Sequence, residues 1–235
     1  MMGKVETKIN VGLMSWLLSF VAGYADTATF ICANRLFSAH VTGNFVVFVY
    51  SMLANPHSSV WLNLFAFPVF IIAVAVSSSI VSYSKFPGKV LRLEAILILA
   101  AGAIAAILRS TNVENTSFIF LLAMIIVFAM GLQNGFGKLY PYTTYSATTI
   151  MTGNVTQITL DLMRYIKARP GDAKPNLKRQ GFIISSFFIG CLAGGSLSYF
   201  IGLSAVILPG LILIYFWMER KRFILLNENK SGMIR

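Results

Sequence analysis

Charge is scarce in this chain. Only 11% of its 235 residues are Asp, Glu, Lys or Arg, about half the share of a soluble domain, which excludes an ordinary water-facing surface. Cysteine is nearly absent: Cys32 and Cys191 stand alone in apolar surroundings, without the paired spacing of a metal or redox motif. The two histidines, His40 and His57, are not spaced as ligands. No His-Glu-x-x-His, Gly-x-Ser-x-Gly or phosphate-binding Gly-x-x-x-x-Gly-Lys occurs, so neither an enzyme nor a cofactor is expected. Acidic residues number 8 against 19 Lys and Arg, a net charge of +11. The basic residues lie between apolar segments, where they set topology and face anionic lipid rather than nucleic acid.

What the chain has is apolar length. Hydrophobic residues make up 57% and mean hydropathy is +0.74, the signature of an all-α protein that crosses a lipid bilayer several times. Segments of spanning length run from Ile9 to Ala25, Trp61 to Tyr83, Val90 to Leu108, Ser117 to Gly137, Gly181 to Gly202 and Leu203 to Trp217. The first could pass for a secretory signal, but a matching segment at Ser117–Gly131 sits mid-chain and argues for a retained span. Asn55 to Ser59 and Lys85 to Lys89 read as turns, and Arg164 to Arg179 as the longest hydrophilic loop. Trp61 and Trp217 take the span-end positions of interfacial anchors.

One phrase is said twice. Thr42-Gly43-Asn44 recurs as Thr152-Gly153-Asn154, 110 positions later. Each follows a long apolar segment closed by a Gly-led polar group, Gly23-Tyr24-Ala25-Asp26 in one case and Gly131-Leu132-Gln133-Asn134 in the other. This reads as an internal duplication. If both Thr-Gly-Asn regions enter the bilayer and return, six spans result and both termini face the cytoplasm. The outer loops then keep only Arg109, as the positive-inside rule prefers over an eight-span path. Three spans per copy force opposite orientations, and inverted repeats with broken helices build many secondary transporters. The expected organisation is a cytoplasmic start (1–8), a first membrane repeat (9–109), a second (117–219, with a basic cytoplasmic loop at 164–179) and a cytoplasmic tail (220–235).

The candidate substrate site follows from the duplicated phrase. Thr42 and Thr152 read as helix N-caps, Gly43 and Gly153 allow close approach, and Asn44 and Asn154 offer donors and acceptors. Helix N-termini inside a bilayer need a partner: protein, water or an anionic group. Asp26 is the sharpest single residue, because an intramembrane carboxylate is costly and a functional candidate by default. Arg35 is its structural alternative partner, and titration of Asp26 would couple the protein to protons. Gln133 and Asn134 stand at the matching place in the second copy. These residues are expected to converge near the midplane. Asp161 and Glu94 read as interfacial. A small residue every fourth position, at Gly190, Gly194, Ser198 and Gly202, suits either internal packing or a homodimer seam. The leading function is a small-solute secondary transporter; a channel and a membrane packing or assembly protein are the rivals.

The Gly-Tyr-x-Asp, Thr-Gly-Asn and Gly-x-Gln-Asn forms, from Ile9 to about Trp217, resemble the YoaK family of bacterial integral membrane proteins, with Val41 in place of that family's Met. The resemblance implies six spans in the inner (plasma) membrane and no assigned chemistry.

Overall fold

The structure, a computed structural model, describes residues 11–54, 58–83, 88–113, 115–140, 148–149, 151–167 and 173–218. The expected cytoplasmic start, the tail, the Asn55-Pro56-His57 turn and the Lys85-Phe86-Pro87 turn lie outside these residues. The regular elements among them are all helices, without a strand: α1 (Val11–Cys32), α2 (Gly43–Ala54), α3 (Leu62–Tyr83), α4 (Gly88–Ser110), α5 (Thr116–Leu139), α6 (Met151–Lys167) and α7 (Ala173–Ile201). A 3-10 turn at Gly202–Val206 leads to a further helical stretch at 207–218, here α8.

Four stretches are long and apolar enough to cross a membrane: Leu62–Tyr83, Gly88–Ser110, Thr116–Leu139 and Leu177–Met218. The last is 42 residues, about 63 Å if straight, twice a bilayer core. It does not stay straight. Gly202 has φ 66, a left-handed conformation that glycine adopts without strain, and the chain folds back there.

α1 has spanning length at 22 residues but a more polar composition. Its position explains this: every residue from Leu18 to Asp26 is buried by other helices, so its polar groups meet protein. Ser15, Ser19, Asp26 and Thr29 fall on one buried face, spaced by multiples of three and four as a helix requires.

Two expectations about breaks are corrected. Gly23-Tyr24-Ala25-Asp26 does not end its helix; α1 continues to Cys32, and α5 likewise runs past Gln133-Asn134 to Leu139. No proline interrupts either stretch, and the Thr27 and Thr29 hydroxyls return their bonds to the helix's own carbonyls at Gly23 and Ala25. The long basic loop is mostly helix as well. Arg164 and Lys167 close α6, while Lys178 and Arg179 stand in the first turns of α7.

Close contacts set the helix directions. Along α1 and α7, Trp16 meets Ser186, Tyr24 meets Gly194 and Cys32 meets Ser198, so the two run parallel. A methyl group at Gly23, Gly190 or Gly194 would strike backbone of the facing helix. The stripe of Gly190, Gly194 and Ser198 therefore serves packing inside the chain, where α1 fills the groove. α3 and α5 are also parallel, Ala73 lying against Gly131 and Ser77 against Gly135. α8 is antiparallel to α4: Ile207 meets Gly102, Gly210 meets Leu99, and the Arg92 guanidinium lies 4.7 Å from the Trp217 ring centre. Arg109 at the end of α4 donates to the Phe200 carbonyl near the end of α7 at 3.0 Å. α1, α4 and α7 thus point one way and α3, α5 and α8 the other.

Candidate functional site

The chain leaves α1 through two left-handed residues, Asn34 (φ 49) and Arg35 (φ 61). Asn tolerates this conformation better than Arg does. The Arg35 guanidinium rests 4.9 Å from the Tyr50 ring centre on α2, so it is not the partner of Asp26. The reversal returns the non-helical segment 36–42 along α1, where Asp26 is only 4% exposed. Asp26 Oδ1 accepts from the Ala39 N–H at 2.7 Å and the His40 N–H at 3.3 Å. Asp26 Oδ2 lies 2.6 Å from His40 Nδ1. The imidazole also packs edge-on against Phe187 of α7.

Asn44 closes the same bracket. Its Oδ1 accepts from the Phe37 N–H and its Nδ2 donates to the Phe37 carbonyl, both at 2.8 Å. An amide pairing twice with one residue's backbone does for an extended segment what a neighbouring strand would do. Gly43 sits against the Phe37 ring, where an added Cβ would come within 3.1 Å. Thr42 is exposed and lies just outside α2, with no side-chain capping bond among the described residues. The expected N-cap bond is therefore not made; Asn44, inside α2, reaches back to Phe37 instead. Thr152 and Gly153 are exposed within the first turn of α6, so Thr152 is not an N-cap either. Asn154 is buried, at 3% exposure.

The second copy builds a related bracket with amides. Gln133 Nε2 donates to Thr148 Oγ1 and to the Leu18 carbonyl of α1, both at 2.9 Å. Asn134 Nδ2 donates to Thr149 Oγ1 at 2.7 Å. Both threonines are 3% exposed. The Gln133 Oε1 is buried and unpaired among the described residues. Leu18 precedes Asp26 by eight residues, about 12 Å along the axis. Asp26, His40 and Asn44 therefore share one level, while Gln133, Asn134, Thr148 and Thr149 share another, and α1 passes through both.

Sequence reasoning missed His40. It is the sole Asp, Glu, His, Lys or Arg between Arg35 and His57, and that signal was available. Nor did sequence reasoning anticipate that two carboxylates read as interfacial are covered by protein. Asp161, expected at an interface, is 2% exposed, accepting from Gln157 at 3.0 Å and Arg164 at 3.3 Å. Glu94 is wholly buried. No group of three metal-ligating side chains stands among the described residues.

Apolar helices of spanning length around a buried polar axis define an all-helical membrane protein. The chain belongs to the DUF1275 family, described as proteins of unknown function, which it matches over residues 14–218. No functionally curated protein and no solved structure matches it.

Proposed function

We propose that the protein is a small-solute secondary transporter whose binding and coupling chemistry centres on the Asp26–His40 pair. One observation carries this reading: a carboxylate buried on α1 lies 2.6 Å from a half-buried imidazole on a non-helical segment of a helical membrane protein. Ionisable side chains at membrane depth are expensive and mark solute or proton paths. Irregular backbone is tolerated there where protein covers it or where it lines a cavity. With Nδ1–H donating to the carboxylate, His40 Nε2 is left to take up or release a proton as solute enters.

The helix directions support six spans in two inverted repeats. α1, α3 and α4 form one set and α5, α7 and α8 the other, with α2 and α6 entering and leaving on one side each. Opposed directions within each set, and the match of α1 on α7 with α3 on α5, are what a two-fold axis in the membrane plane would produce. The YoaK resemblance points the same way. Both termini then lie on one side, the cytoplasmic side by the positive-inside rule. In this reading Thr42, Gly43, Gln133, Thr152, Gly153 and Asn154 line the path with Asp26, and Asn44 holds its wall in place.

The packing or assembly alternative has its own support, since both groups of the Asn44 amide are spent on Phe37 backbone. Purified protein in liposomes separates the readings. A transporter gives saturable, solute-specific flux that responds to an imposed proton gradient, and a channel gives non-saturating flux. No flux above empty liposomes across charged, zwitterionic and neutral small solutes would leave the packing role standing. Topology is checked by labelling single cysteines from outside: N112C should react and K89C should not.

A further inference from the structure

The Asp26–His40 pair is not the sole ionisable feature inside the protein. Glu94 lies on α4, six residues after Gly88, about 9 Å along the helix. It is 0% exposed, and neither carboxylate oxygen has a hydrogen-bond partner among the described residues. Its face of α4 is otherwise apolar: Leu91, Ala95, Ile98, Ala101 and Ala105 are buried with it in the main core. Arg92, stacked on Trp217, and Leu99, pressed on Gly210, lie about half a turn round α4 from Glu94, so α8 runs along the opposite side of this stretch.

An ionised carboxylate without donors in such a place bears the full desolvation cost with nothing to offset it. The charged groups on the surrounding elements do not neutralise it. α4 itself offers Lys89, Arg92 and Arg109, and α5 offers Lys138. The described parts of α3 and of 202–218 carry no Lys, Arg, Asp or Glu beyond their tyrosines, Tyr83 and Tyr215. α1 carries Asp26, engaged with His40, and Tyr24, whose hydroxyl donates to the Ala205 carbonyl at 2.7 Å. None of these pairs with Glu94 among the described residues. A metal ion would need further ligands, and no metal-ligating cluster includes it. The ligand that one bare carboxylate can hold in an apolar core is a proton.

We infer that Glu94 is a proton-binding site of the protein interior, held as the neutral acid and separate from the Asp26–His40 pair. Its role in coupling rests on the transporter reading: release of the proton requires that α4 part from the elements covering this face so that water reaches the carboxyl. Its protonation does not rest on that reading.

The test uses the full chain reconstituted in lipid at neutral pH. Infrared spectroscopy should show the carbonyl band of a neutral carboxyl in wild-type protein and in D26N, and E94Q should lack it. Identical spectra for wild type and E94Q in that region would overturn the assignment. Should E94Q fail to fold, wild-type protein is treated with the membrane-permeant reagent dicyclohexylcarbodiimide, which adds a protonated carboxyl across its C=N bond, the proton passing to nitrogen. Mass spectrometry should place that adduct on Glu94, and its absence from Glu94 would overturn the assignment. Where solute flux is measurable, E94Q should abolish its dependence on the proton gradient. Unchanged dependence would remove Glu94 from coupling. Failure to find any flux would remove the transporter reading and leave the infrared result intact.

Discussion

The two halves of the molecule solve one structural problem with different chemistry. After α1, the returning segment is pinned by a carboxylate, Asp26, which receives two backbone N–H groups and an imidazole. After α5, the residue 108 positions later is Asn134, which donates to a threonine hydroxyl. The pinning is common to both halves, so it belongs to the fold. Among the described residues the bracket holds an ionisable pair only in the first half, and it is on that pair that the proposed function rests. The entering helices differ in the same sense. α2 is apolar apart from Asn44 and Ser51 and carries no charge, whereas α6 carries Thr152, Asn154, Gln157, Asp161 and Arg164.

The comparison can be broken most forcefully at the helix seams. Valine at Gly194 drives a branched side chain into the Tyr24 backbone. Overpacking of this kind costs about 1–3 kcal/mol and sometimes more, so G194V should show the largest loss of thermal stability in detergent. Gly137 has nothing within 4 Å of an added Cβ, and G137A should melt as wild type does. Similar melting of G194V and G137A would contradict the assigned seam.

Next in size is the loss of the carboxylate. D26A strips the Ala39 and His40 N–H groups and the imidazole of their acceptor together. The half-buried imidazole can turn to solvent, so the loss is that of backbone groups left unpaired, about 1–3 kcal/mol. D26N, which makes the first half chemically like the second, should lose less than half of that, because one amide oxygen still accepts from Ala39. Equal losses for D26A and D26N would show that charge rather than hydrogen bonding holds the bracket.

The smaller effect is in the repeated triplet. N44A forfeits both bonds to Phe37, at about 1–3 kcal/mol for buried groups left unpaired, while T42A should leave the melting temperature unchanged. A larger loss for T42A than for N44A would restore the capping role that the sequence suggested for Thr42.

The spans were legible in the sequence because membrane-crossing helices announce themselves by apolar length alone: α3, α4 and α5 lie within two residues of the expected bounds at either end. The path between them was not. Asp26 read as a helix terminator, since a charge after an apolar run resembles a boundary. Inside the bundle its polarity is satisfied by a segment returning from beyond the helix end, so the helix continues. His40 escaped notice because its partner lies 14 residues back, a spacing set by a loop reversal and not by any helical period. Glu94 read as interfacial from its basic neighbours. The better signal was its position four residues before Ile98 and seven before Ala101, which places it on the buried face.

The most direct test of the account exchanges carboxylate and amide between the corresponding positions of the halves. Wild-type protein, D26N and N134D are reconstituted in liposomes, and solute uptake driven by a proton gradient is measured for each. The account predicts saturable uptake by wild type, its loss in D26N despite a folded protein, and its persistence in N134D. Uptake by D26N equal to that of wild type would contradict it.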